Sequence, residues 1–485
     1  MLGYIYEALE GFREVFSRDK TWLIFVMLVL GFIGSTEVIG VSSFCRFWLL
    51  DACGYDSLLR FFRSDAWSLN QLTHHWNRFA LAQNETIQLD GRTAILGDHT
   101  YVPKDGRRMP GVVTLHQNSE TQSKPSYFRG QCWGAIGLLV GSRLSAFCLP
   151  LSLRIHQGLK HIKGESDTTD TNKTTLAERV VIMAMDFSLQ NGIPCVLGLD
   201  AYFSVASVFR MANTVWSVKL KAPLVTIVVR AKKNYVAYFP PEEVDKKKLG
   251  RPKKYGEKIT LMECFDHLEM FSKVQCLVYG KQEEIYLTHH DLLWKGTGEM
   301  IRFVFALTSL GPIVLMCSDL NQKPVLALEL YCSRIRIEIM FDVLKNLIKA
   351  FRFRFWSKKM PLHSRRPRRN KDTENPVQEG IKAVILCWEA SEVFVMIGAI
   401  AQGMLQMLSL KYHKQVWKKS WAFIRTKSRE LPSEKTVKQL IAPLIGYNFI
   451  NPASNLIMRK IHKRFSGEIS PKMILEEQLT EKEAA

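Results

Sequence analysis

The chain has 485 residues, 47% hydrophobic and 23% charged, which is enough apolar material for several domains and excludes wholesale disorder. Lys and Arg number 66 against 46 Asp and Glu, and the net charge of +20 predicts attraction to a polyanion or an anionic surface. Its ten cysteines form no CxxC pair, which argues against a zinc ribbon or a thioredoxin-type motif; in runs such as IPCVLGL they read as small core residues of a reducing compartment.

Residues 1–88 show helical spacing of apolar and aromatic side chains, as in SLLRFFRSDAWSLNQLTHHWNRFAL. Within them 22–33 is apolar throughout, but Gly34, Ser35, Thr36 and Glu37 end it well short of the ~20 residues of a membrane span, so a buried core helix is expected and no signal peptide. From about 92 the texture changes. TAILGDHTYV is a short apolar run, then an acid, then a PKDG turn, and CWGAIGLLVG and SAFCLPLSLRI read as strands. A polar, Thr-rich loop over 162–174 precedes a helix over 176–190 that Asn191-Gly192 ends. IPCVLGLD is a buried strand finishing at Asp200, 204–214 is helical, and LVTIVVRAK is another buried strand, an alternation that predicts an α/β core.

Between 233 and 310, KITLMECF, KVQCLVYG, EEIYLTHH and RFVFALTS alternate around turns at YGEK, YGKQ and KGTG, an antiparallel β insertion within that core. The core resumes with the strand PIVLMCSDL and one long helix over 325–355. A basic linker follows at 363–380, and 381–485 is mostly helical. Its stretch 383–410 is long and apolar but carries Glu389, Glu392, Gln402 and Gln406, so a buried helix is the better reading than a membrane span. The expected units are therefore 1–88, 89–232, 233–310, 311–362, 363–380 and 381–485.

Two stretches hold 17 of the 20 excess charges: 230–258, with ten Lys/Arg against four acids, and 345–371, with eleven and no acid. The second interleaves aromatics with cations in FRFRFW. Together they favour phosphate contact over a merely solvated face.

The segment YCSRIRIEIMFDVLK places Tyr331, Arg334, Glu338 and Lys345 at offsets that share a helical face roughly 60° wide at about 100° per residue. An amphipathic helix with an Arg334–Glu338 pair accounts for only two of the four. The pattern Y-x2-R-x3-E-x6-K resembles the signature of the IS-four-like branch of DDE insertion-sequence transposases and matches it at each fixed position. Asp200, after IPCVLGL and before AYFS, is similar to the family's second-aspartate context. Asp98, after TAILG and before HTYVPKDG, resembles the first, so both aspartates are expected at the ends of core strands. IVVRAKKN and GRPKKYGEKITL resemble the lead into the family's β insertion and a segment within it, and FCRFWLLDACGYDSLLRFFRSDAW its helical opening.

The resemblance implies an RNase H-like catalytic core interrupted by the β insertion and flanked by N- and C-terminal helical regions, the first of them DNA-binding. It implies a triad of Asp98, Asp200 and Glu338 holding two Mg²⁺ ions, replaceable by Mn²⁺, for cleavage of the element's inverted repeats and joining of the freed 3′-hydroxyls to target DNA. It also implies DNA contacts from Tyr331, Arg334 and Lys345, a homodimer on double-stranded DNA, no membrane, and a cytoplasmic, nucleoid-associated place in a prokaryote. From the basic runs Lys253, Lys254, Arg352, Arg354, Lys358 and Lys359 are expected on DNA; the resemblance implies that Trp294 in LLWKGTG stacks on a displaced base, and the alternative is a structural Trp at its turn. Asp90, Asp105, Asp319 and Asp342 are rivals for the acid positions. The alternative function is a catalytically inactive DNA-binding descendant, and a basic membrane-surface protein is a third.

Overall fold

The computed structural model describes residues 1–37, 40–83, 85–116, 126–158, 174–241, 253–364, 377, 379–421, 423 and 430–469. Nearly all of the Thr-rich loop, the middle of the first basic stretch and most of the linker lie outside the described residues.

The core is a sheet built from five strands: β1 (Arg92–Pro103), β2 (Tyr127–Gly141), β3 (Ala146–Ile155), β4 (Cys195–Leu199) and β5 (Val225–Arg230). Their spatial order is β3-β2-β1-β4-β5; β1, β4 and β5 run parallel, and β2 is antiparallel to both of its neighbours. β4 is buried along its whole length, as a central parallel strand covered on both faces must be, which is why CVLGL reads as a continuous apolar run. The helix α6 (Leu176–Asn191) follows β3 and leads into β4, and the short helix α7 (Ala206–Ala212) lies between β4 and β5. Thr175 and Glu178 cap its start reciprocally, and Gly192 ends it in the left-handed conformation at φ 64°. Gly97 in β1 lets α6 close in: a Cβ there would lie 2.6 Å from a methyl of Val180.

The antiparallel segment expected over 233–310 comprises β6 (Val236–Tyr238), β7 (Lys258–Thr260), β8 (Ser272–Val278), β9 (Lys281–Trp294) and β10 (Glu299–Thr308), and the strand expected to resume the core is β11 (Gly311–Cys317). KITLMECF is a strand only at its start; from Leu261 it coils into a 3₁₀ turn. β11 pairs with the edge of β5, Leu315 opposite Arg230 and Cys317 opposite Val228. The hairpins thus continue the core sheet, which among the described residues reaches thirteen strands with two short ones, Gln88–Leu89 and Val113–His116.

Helices from both ends of the chain pack together. The N-terminal α1 (Leu2–Gly11), α2 (Asp19–Gly34), α3 (Val41–Phe47), α4 (Ala52–Phe61) and α5 (Leu69–Leu81) are helical as expected. α2 is buried from Trp22 to Gly34. The C-terminal helices are α10 (Ile381–Lys419), α11 (Glu434–Ile450) and α12 (Leu456–Phe465). Lys438 on α11 donates to the carbonyls of Phe32 and Ser35, and the rings of Phe32 and Phe394 meet at 5.1 Å. α10 lies against β3. It is the one helix among the described residues long and apolar enough to cross a membrane, and 78% of its most apolar stretch is buried inside the molecule. Of the polar residues that interrupt it, Glu389 is exposed and the other three have core partners. Glu392 accepts from Ile155 N–H at 2.8 Å, and Gln406 donates to Glu434 and to the Cys148 carbonyl.

The long helix expected over 325–355 is divided. α8 (Pro324–Cys332) and α9 (Ile335–Asp342) meet at Ser333 and Arg334, a π-helical turn follows at Val343–Leu347, and a 3₁₀ turn at Ala350–Arg352. At the junction the Ser333 hydroxyl donates to the Glu329 carbonyl, and the amides of Arg334, Arg336 and Ile337 bond three residues back, which tightens the coil.

Candidate active site

The parallel ladder between β1 and β4 sets the first two acids. It pairs Thr93 with Cys195 and Leu96 with Gly198, a constant offset of 102. Asp98 and Asp200 differ by the same 102, so they stand side by side where β4 ends. The expectation that Asp98 ends its strand is corrected. β1 runs on to Pro103, paired with β2 alone, because only its β4 ladder stops there. Asp98 Oδ1 accepts from the His99 N–H at 2.7 Å. Asp200 caps the 3₁₀ turn Ala201–Phe203, accepting from Tyr202 N–H at 2.8 Å.

The third acid arrives on α9. Arg334 at the α8–α9 junction donates from Nη1 to Asp98 Oδ2 at 2.7 Å and from Nη2 to Glu338 Oε1 at 2.5 Å, so one guanidinium spans two of the three carboxylates. Burial pushes the Asp98 carboxyl up to about 7. The Asp200 charge adds to that push, Arg334 and the His99 N–H oppose it, and Glu338 raises it further. Burial works against the charge of Arg334, but Asp98, Asp200 and Glu338 outweigh it and hold the guanidinium above its ordinary range. The Glu338 side chain is 48% exposed, so the group opens to solvent on that side.

Lys345, on the π-helical turn, donates to Thr100 Oγ1, which lies two residues along β1 from Asp98 and on its face. Arg334, Glu338 and Lys345 therefore converge on one strand. Tyr331 is buried at the end of α8, and its hydroxyl accepts from Arg230 at 3.5 Å, toward the end of β5. The rival acids are engaged elsewhere or stand apart. Asp342 accepts from Asn346 at 2.7 Å, Asp90 pairs with Lys323, Asp319 pairs with Arg92 and caps its own turn, and Asp105 is exposed in the turn after β1.

The basic residues divide into two places. Lys253 and Lys254 are exposed at the β-hairpin side, Lys254 over the Tyr255 ring. Arg352, Arg354, Lys358 and Lys359 are exposed beyond α9. The aromatics of FRFRFW are mostly not a nucleic-acid face: Phe351, Phe353 and Phe355 are buried, and Trp356 alone is exposed. Trp294 is buried as well, against the rings of Phe209 and Tyr235, which places it structurally at its turn.

Two features carried no sequence signal. Lys104, in the PKDG turn, is buried, donates to the carbonyls of Phe351 and Phe353 at 2.6 and 3.1 Å, and lies 3.6 Å above the Phe353 ring. Burial, helped by Arg352 and Arg354, brings its amine down to about 7. Behind Asp98, on the other face of β1, the rings of His99 and His156 share a proton contact at 3.0 Å, and Gly134 leaves the room that His156 fills.

Among the described residues no three His, Cys, Asp or Glu side chains close around a single ion position. The guanidinium of Arg334 sits between Asp98 and Glu338. The donor set nevertheless suits a hard divalent cation: three carboxylates, close enough that two of them raise the proton affinity of the third. Compared with known proteins, the chain matches no family model and no curated protein.

Proposed function

We propose that the chain is a DDE-type DNA transposase on an RNase H-like core, which binds the terminal inverted repeats of its insertion sequence as a homodimer, cleaves the ends and joins the 3′-hydroxyls to target DNA. The observation that carries the reading is the shared offset of 102, which aligns Asp98 and Asp200 at the end of a parallel ladder, with Glu338 brought opposite through Arg334. The strand order β3-β2-β1-β4-β5, with only β2 reversed among the strands flanking β1, supports the RNase H-like core.

Asp98, Asp200 and Glu338 would hold Mg²⁺, which when bound supplies an activated water oxygen and neutralises charge on the phosphoryl group. The chain's own groups do the remaining work. Arg334 keeps Asp98 and Glu338 together and offers a fork that matches a phosphate. Lys345, tied to Thr100, fixes the π-helical turn against β1 and so fixes where Glu338 points. The half-exposed side of Glu338 is where a DNA strand would enter.

The test is nicking of DNA carrying the flanking inverted repeats. Asp98→Asn, Asp200→Asn and Glu338→Gln should each lower Mg²⁺-dependent nicking by at least about 100-fold with binding retained, while Asp342→Asn stays active. Mn²⁺ should support nicking, and Ca²⁺ should allow binding only. Nicking that persists in EDTA, or that survives any one of the three substitutions, would sink the two-metal triad.

A further inference from the structure

We infer that residues 351–356 form a preformed platform for an unpaired nucleic-acid strand, on which Arg352 and Arg354 take phosphates and Trp356 stacks on a base. The inference rests on the DNA-processing reading and names a contact within it. Burial alternates strictly along the segment: Phe351, Phe353 and Phe355 point into the core, and Arg352, Arg354 and Trp356 point out, Trp356 with 54% of its surface free. The inward side is anchored on three elements. Phe351 and Phe353 reach Trp133, Phe353 and Phe355 reach Phe394, and Phe355 reaches Phe62 at 5.1 Å. The buried amine of Lys104 holds the backbone through two carbonyls, and Arg108 holds it further on through those of Lys358 and Met360. The backbone that carries the outward groups is therefore held before any ligand arrives, which lowers the ordering cost of binding.

Chemistry selects the partner. The stretch 345–371 contains no acid, so its field favours a polyanion. An indole face at the end of a row of two guanidinium groups matches phosphates followed by a base face, and a base face is available only when the base has left the stack. The ribbon turns its phenylalanines inward, the reverse of what insertion into lipid needs. Lys104 stands six residues beyond Asp98, one past the end of β1, about 20 Å. The platform would thus meet the strand about 20 Å from the carboxylates, away from the scissile phosphate.

The experiment is fluorescence anisotropy with a labelled oligo(dT) of about 20 nucleotides, in EDTA. Trp356→Ala should weaken binding by about 5- to 100-fold and Trp356→Phe should restore most of it, as base stacking requires. Arg352→Ala and Arg354→Ala should each flatten the slope of log affinity against log salt by about 0.7. Trp356 is exposed, so thermal melts should match wild type and separate a lost contact from a lost fold. Wild-type affinity for oligo(dT) in Trp356→Ala would overturn the platform. So would an equal loss on a fully paired duplex, or loss of binding to phosphatidylserine vesicles with oligo(dT) binding intact. Because no metal and no cleavage enter, this test can fail while the triad stands, and Asp98→Asn can go on nicking while the platform stands.

Discussion

Asp98 is the most strained charge in the molecule's candidate site. Its carboxyl titrates near 7 in the fold against an ordinary value near 4, because it is buried beside Asp200 and Glu338. Between those two values the folded protein binds the extra proton, so stability falls as pH rises from about 4 and the full cost is present above about 7. Asp98→Asn removes that ionisation. Its melting temperature in EDTA should exceed wild type at pH 8 and approach it near pH 4; equal curves at both would show that Asp98 is not held against its charge. The same proton must leave when a divalent cation binds, so Mn²⁺ affinity should climb steeply between pH 6 and 7.5 and flatten above. Arg334→Ala leaves Asp98 without its cation. It should lower single-turnover nicking by about 100-fold with end-DNA affinity changed less than about 3-fold, the mark of a group that positions rather than holds. Equal losses of both would reduce Arg334 to a general phosphate contact. The two aspartates are legible in the sequence because each follows a buried apolar run. That Asp98 lies inside its strand is not legible, since apolar density reports burial and β1 loses its inner neighbour before it loses its ladder with β2.

At the level of elements, the strand runs other than KITLMECF, α6 and the buried character of α2 and α10 follow from apolar spacing and its terminators. The division of the 325–355 helix does not. No Gly or Pro marks it, and the tightening comes from a serine hydroxyl bonding within its own turn. The ribbon after α9 escapes for another reason. FRFRFW reads as aromatics offered to a ligand, and only the tertiary fold shows three of them spent on the core. Lys104 is likewise invisible, because a lysine in a PKDG turn has every mark of a solvated residue. Its burial predicts that Lys104→Met, which keeps the stem and deletes two charged hydrogen bonds and a ring contact, should destabilise by about 2–4 kcal/mol in urea unfolding. A change under about 0.5 kcal/mol would mean the ribbon is held by its phenylalanines alone.

The whole molecule joins parts that composition divides. Segments at the two chain ends share one helical layer, and the β insertion shares the core's sheet. Thermal unfolding followed by far-ultraviolet circular dichroism and by tryptophan fluorescence should therefore give coincident single transitions; two separated transitions would show that the C-terminal helices fold apart. The pairing of β11 with β5 has a mechanical side. A hairpin lobe hung on two loops could swing on its own, whereas here a continuous run of backbone hydrogen bonds leads from β9 through β10, β11 and β5 to β4, at whose end Asp200 stands. A load applied at the hairpins is borne by that ladder as torsion of one twisted plate, so the outer strands and the carboxylates turn together or not at all.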